Sequence, residues 1–143
     1  MTLTQNSPTT SLYSQIQSWD LSNIMQFVKL EYPEITDQMW TEAEQEYRNF
    51  VYLCLVTHKQ LTIPNKVMDY IWHAHILHTR DYLAFCETVN DGNYFHHQPE
   101  LYNKDNFEEA LEKSQQISQD YLGYNAFANR KDVAMVHAST PKF

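Results

Sequence analysis

Apolar positions recur every three or four residues along most of the chain, the spacing of one face of an α-helix. After Asp20, a good N-cap, Leu21, Ile24, Phe27 and Val28 form the first such stripe, which Pro33 ends. Trp40, Ala43, Tyr47, Phe50, Val51, Cys54 and Leu55 form the second and predict a helix over Asp37–His58. Thr36 caps it, with Met39 where a full capping box has Glu or Gln. Leu61-Thr62-Ile63 is a short extended link into Pro64, and because proline suits a first helical turn a third helix is expected to begin there. Val67–Val89 is helical in pattern but too long and too apolar for one amphipathic helix. Thr79-Arg80-Asp81 reads as a restart, which divides the stretch into segments over 65–77 and 80–90. Asn90-Asp91-Gly92-Asn93 is a turn, Tyr94–Pro99 an aromatic loop, and a last helix over 104–122 ends at Gly123, a natural C′ residue. The fold class is all-α: a small bundle of about five helices whose histidine-bearing central helix is broken near residue 78. Residues 1–14, rich in Ser, Thr, Asn and Gln, read as a flexible tail, and 15–143 as a single helical domain.

Composition supports this picture and narrows the partners. The chain's 143 residues suit one domain and suffice to bury a core without staples. Only two glycines occur, Gly92 and Gly123; tight β-turns use more. A net charge of −8 with no basic run argues against a nucleic-acid partner, since affinity for phosphate backbones comes largely from Lys and Arg. There is no apolar run long enough to span a membrane, and Met1–Ser14 lacks the basic and apolar regions of a secretion signal. With Cys54 and Cys86 as the only cysteines, a reduced, cytoplasmic protein is expected.

The chemistry concentrates in one region. Of seven histidines, five lie between residues 73 and 97: His73, His75, His78, His96 and His97. Neutral imidazole is a common ligand for iron, copper and zinc, and imidazoles set among Trp72, Ile76 and Leu77 need partners. Asp69 and His73, four apart, share a helix face, so Asp69 can accept the His73 ring N–H or be a ligand itself. His75 and His78 share another face, continued by Tyr82 and Cys86. His73 and His75 point about 200° apart on an ideal helix, so they meet on one ion only if the backbone unwinds near 75–78, with His97 or His96 closing from the loop. The ordinary reading of each residue is a hydrogen-bonded core histidine, a core tryptophan at Trp72, a core or supporting tyrosine at Tyr82 and a small buried thiol at Cys86. A Cys86 nucleophile paired with His78 or His97 has no local motif behind it. The chain holds no His-Glu-x-x-His, no phosphate-binding Gly loop, no Cys-x-x-Cys and no Gly-x-Ser-x-Gly.

The run Asp69-x-x-Trp72-His73-x-His75-x-Leu77, followed by Tyr82, resembles the repeated unit of glycine-rich-domain-containing proteins. The resemblance covers about residues 65–98 and implies Asp69, Trp72, His73, His75, Tyr82 and His97 as motif positions, without implying a reaction. This chain has no glycine-rich region, and His78-Thr79 stands where proline is frequent in that unit. A weaker resemblance is to tyrosinase-like copper proteins, which carry a Trp-His pair on a ligand helix; they need two sets of three histidines, so His58 and His137 would have to join.

The leading expectation is a metal-binding protein with His73, His75 and His97 as ligands, His78 as an alternate and Asp69 orienting or completing the set. An open position on the ion would make it an oxidase or oxygenase of a small molecule or peptide, with Asp69 and Tyr82 as catalytic candidates, or else a metal-dependent hydrolase. The rival expectation is a non-catalytic helical interaction domain in which Asp69, His73 and His75 form a structural hydrogen-bond network.

Overall fold

The computed structural model describes residues 8–97 and 107–127. These form six helices: α1 (Pro8–Gln17), α2 (Ser22–Glu31), α3 (Asp37–Thr57), α4 (Lys66–Leu77), α5 (Thr79–Val89) and α6 (Phe107–Leu122). No strand occurs among the described residues, so the chain is an all-helical bundle.

The centre of the bundle is the α3–α4 contact, with α2 laid over both helices and α1 and α6 against α3. Trp40, Tyr47, Phe50 and Leu53 of α3 meet Val67, Met68, Ile71 and Trp72 of α4 in a layer at most 1% exposed. Complete burial of each large apolar side chain is worth about 1.5–3 kcal/mol. Tyr32, just past α2, stacks flat on Tyr70 with ring centroids 4.1 Å apart and fastens that end of α2 to α4.

Caps set the helix ends. The Thr36 hydroxyl accepts the Met39 N–H at 3.2 Å. At the other end of α3, His58 takes the left-handed conformation (φ 56°), and its N–H reaches back to Cys54 O and Leu55 O. The proline-led start expected for the third helix is displaced: Asn65 is the cap of α4, its Oδ1 accepting the Met68 N–H at 2.9 Å while its Nδ2 donates to Glu46 Oε1 at 3.0 Å. Side-chain capping by Asn65 outweighs the preference of Pro64 for a first turn. The link before it is unusual for a connection, because all five residues from Leu61 to Asn65 are buried. Asp20, expected as a cap, instead accepts from the N–H and hydroxyl of Ser22, at 3.0 and 2.6 Å. After Gly123 (φ 81°) the chain turns back, Ser118 Oγ joining Tyr124 O and the Ala126 N–H, and Phe127 enters the core.

One element was not anticipated. The tail expected over 1–14 is helical from Pro8, and residues 1–7 lie outside the described ones. The cause is tertiary. Ile16 is buried, Tyr13 meets Tyr52 edge-on at 5.1 Å, and Arg48 of α3 closes the helix end. Its Nη1 donates to the carbonyls of Ile16 (2.8 Å), Gln17 (3.0 Å) and Trp19 (2.8 Å), while Nη2 donates to Glu44 at 2.6 Å. Carbonyls that a helix end leaves without partners are thereby satisfied.

Candidate functional site

Between α4 and α5 the chain departs from helix at a single residue, His78 (φ −83°, ψ 72°). Its N–H and its Nδ1 both reach the Ala74 carbonyl, at 3.0 and 2.8 Å, so Nδ1 carries the ring proton. Through this bend α5 presents Asp81 to His75, and the result is a continuous chain of hydrogen bonds, buried at Tyr47 and His75 and reaching solvent at Asp81. The Tyr47 hydroxyl lies 2.7 Å from His75 Nδ1, His75 Nε2 lies 2.7 Å from Asp81 Oδ1, and Trp19 Nε1 donates to the same oxygen at 2.9 Å. One protonation pattern satisfies every group: Tyr47 O–H donates to Nδ1, and Nε2–H donates to the Asp81 carboxylate. The His75 side chain is fully buried, and burial pushes its pKa down from 6.5 to about 4 against the opposing pull of Asp81, so the ring is neutral near pH 7. Burial likewise raises Tyr47 well above the usual phenol range.

His75 is therefore not a ligand in this arrangement. The expected set of His73, His75 and His97 is not assembled, because both His75 nitrogens are occupied on the inner face of α4. His78 is also drawn off, its Nδ1 on its own helix and its ring edge-on to Phe27 at 5.4 Å. Asn23, Ile24, His78, Thr79, Arg80 and Asp81 line a cleft of about 360 Å³ on that side.

The outer face of α4 holds a different cluster. His97 Nε2 lies 2.5 Å from Asp69 Oδ1, with side-chain exposures of 12% and 13%. The His97 and His73 rings are perpendicular with centroids 5.7 Å apart, and Trp72 packs against His97 at 4.4 Å. Asp69 thus holds His97, where the sequence pointed to His73. Among the described residues no group of three or more His, Cys, Asp and Glu side chains is arranged to hold a metal ion. His96 is exposed beside Tyr94, with ring centroids 4.8 Å apart.

Tyr82, a catalytic candidate by sequence, is fully buried and fully used. Its hydroxyl accepts Trp72 Nε1–H at 3.0 Å and donates to the Phe95 carbonyl. Burial raises its pKa, which favours the protonated phenol. The Cys86 thiol accepts the Phe95 N–H at 3.4 Å, and burial raises its pKa as well, against a nucleophilic role. Cys54 is pushed up to about 12 by burial, and both thiols are free and buried. Sequence reasoning missed Tyr47, Asp81 and Trp19 as partners of His75. It also missed Phe95, whose backbone carries no side-chain signature.

Fold and site define an all-helical domain with a histidine–carboxylate cluster shared between one helix and the loop that returns to it. The chain belongs to the UCP032817-like family, whose model matches residues 13–135. This corrects the likeness to glycine-rich-domain repeats: that likeness rested on residues 65–98, whereas the family match runs from α1 through α6 and beyond. Comparison with curated proteins and with solved structures gave no match. Among the described residues no helix is long and apolar enough to cross a membrane.

Proposed function

We propose that this chain binds one transition-metal ion, iron, copper or zinc, through His73 and His97, with Asp69 orienting His97 or joining as a carboxylate ligand. The supporting observation is the spacing of the two rings. With metal–nitrogen bonds of about 2.0–2.1 Å, two imidazoles on one ion have centroids roughly 5–6 Å apart, and these lie 5.7 Å apart. A histidine that gives one N–H to a carboxylate and its other nitrogen to an ion is a common arrangement, and the Asp69–His97 contact supplies its first half. Two protein nitrogens leave coordination positions for water or substrate. An ion bound there would supply activation of water or dioxygen, the chemistry of a hydrolase or of an oxidase or oxygenase.

The test is metal analysis and titration of untagged protein with Zn²⁺, Fe²⁺ and Cu²⁺. One equivalent is expected, lost in His73→Ala and in His97→Ala and retained in a folded His75→Gln. Uptake far below one equivalent for all three ions sinks the reading. Dioxygen consumption by the loaded protein with small-molecule or peptide substrates then separates the two reaction classes.

The closed His75 network favours a second reading, a non-catalytic helical interaction domain whose histidines fix packing. In that case His73→Ala and His97→Ala alter stability alone.

A further inference from the structure

The two halves of the proposed site differ in how they are held. Asp69 and His73 belong to α4, at the centre of the bundle. His97 stands on a five-residue arm, 93–97, that leaves the turn Asn90–Asn93, where Asp91 (φ 51°) and Gly92 (φ 84°) reverse the chain. The turn is closed by Asn93 N–H to Asn90 O and Asn90 Nδ2 to Asn93 O, both at 2.9 Å. Most of the arm is exposed; Phe95 alone is buried, at 7%.

Phe95 is gripped from three sides. Its carbonyl accepts from the Tyr82 hydroxyl, its N–H donates to Cys86 Sγ, and its ring stacks on Trp72 with centroids 5.1 Å apart and planes 20° from parallel. Trp72 Nε1–H donates to the same Tyr82 hydroxyl, so Tyr82, Phe95 and Trp72 form a closed ring of contacts. Two residues on, His97 rests on Trp72 and Asp69. With His97 and Asp69 only 12% and 13% exposed, the closed arm also shields the place an ion would occupy.

We propose that the arm is a latch on the metal site, with the Asn90–Asn93 turn as its hinge and the Tyr82 hydroxyl as its catch, so that ion entry and release require Phe95 to let go of Tyr82. The inference rests on the His73–His97 reading and assigns Tyr82 a positioning role through Phe95.

The experiment compares wild type with Tyr82→Phe in two states. In the metal-free chain, native-state hydrogen exchange is followed at the Phe95 amide, together with the His97 ring N–H signal to Asp69 by NMR. In the Zn²⁺-loaded chain, ion release to a chelator is timed by stopped flow. Removing the Tyr82 hydroxyl breaks its bond to the Phe95 carbonyl and takes the acceptor from Trp72 Nε1–H. It is expected to speed both Phe95 exchange and release by roughly tenfold or more, to weaken the His97 signal, and to leave amide protection in α3 and α4 unchanged. Unchanged Phe95 exchange overturns the latch. So does faster exchange with an unaltered His97 signal or an unaltered release rate. If Tyr82→Phe does not fold, Phe95→Leu, which keeps both backbone bonds and loses the Trp72 stack, is expected to show a smaller acceleration of the same kind, and none overturns the proposal. Wild type that takes up no metal defeats the metal reading, while the exchange and His97 measurements on the metal-free chain still decide whether the latch exists.

Discussion

Replacing His75 with alanine removes the middle of the hydrogen-bonded chain from Tyr47 to Trp19. The Tyr47 hydroxyl, on a residue only 1% exposed, loses its acceptor, at a cost of about 1–3 kcal/mol. Truncating a fully buried ring adds a cavity term, and the two together come to about 3–5 kcal/mol. At the other end the cost is small: Asp81 is 37% exposed, so water can replace the lost N–H. Tyr47→Phe removes the same bond from the opposite side and leaves His75 Nδ1 without a donor, for about 1–2 kcal/mol. Because both changes delete one interaction, the double variant should lose less than the sum, with a coupling of about 1 kcal/mol or more. Urea unfolding of the metal-free chain at mildly alkaline pH, followed by far-UV circular dichroism, measures all four corners of the cycle. His75→Ala losing under about 1 kcal/mol, or strictly additive single changes, would refute the network.

The same residue sets a pH dependence. The unfolded chain protonates His75 near 6.5 and the folded chain near 4, so its contribution is complete above pH 6.5, falls between 6.5 and 4 and is then exhausted. The total is about 3 kcal/mol, visible as a slope in urea midpoints that His75→Ala abolishes. Arg48→Ala should cost about 2–3 kcal/mol and release α1 to hydrogen exchange before the rest, and Arg48→Lys should not restore it, since one ammonium cannot span three carbonyls and Glu44. Thr36→Ala should lower stability by about 1 kcal/mol through the lost cap on Met39, with metal uptake unchanged.

The helical architecture was legible because α2 to α6 carry their own stripes of apolar residues at helical spacing. α1 was not, because Ser, Thr and Gln favour helix weakly and what holds it is an arginine some thirty positions away, which no local pattern announces. Within the cluster, helical arithmetic alone separates His73 from His75. It cannot say which face turns inward, nor that Tyr47, Asp81 and Trp19 converge on the inner one from three other segments. Tyr82 stood out as a position of the Asp69–Tyr82 motif, although its ordinary reading is a core or supporting tyrosine. Its acceptor is a main-chain carbonyl, which any residue would supply, so its structural use left no trace in the sequence. The family match adds extent, from α1 to the region past α6, without adding a reaction.

The link from Leu61 to Asn65 runs inside the protein, whereas connections normally lie on its surface. Ends created there would bring charged termini into the core and tear the Asn65 side chain from Met68 and Glu46. A polypeptide cut between Leu61 and Asn65 is therefore not expected to reassemble from two separately expressed fragments, and new termini for circular permutation will not be tolerated there. A cut at the exposed Asp91-Gly92 pair leaves every helix whole and disturbs only the His97 arm. Topologically, α3 and α4 form one indivisible unit despite the break in helix between them, and a permissive point among the described residues lies beside the proposed metal site.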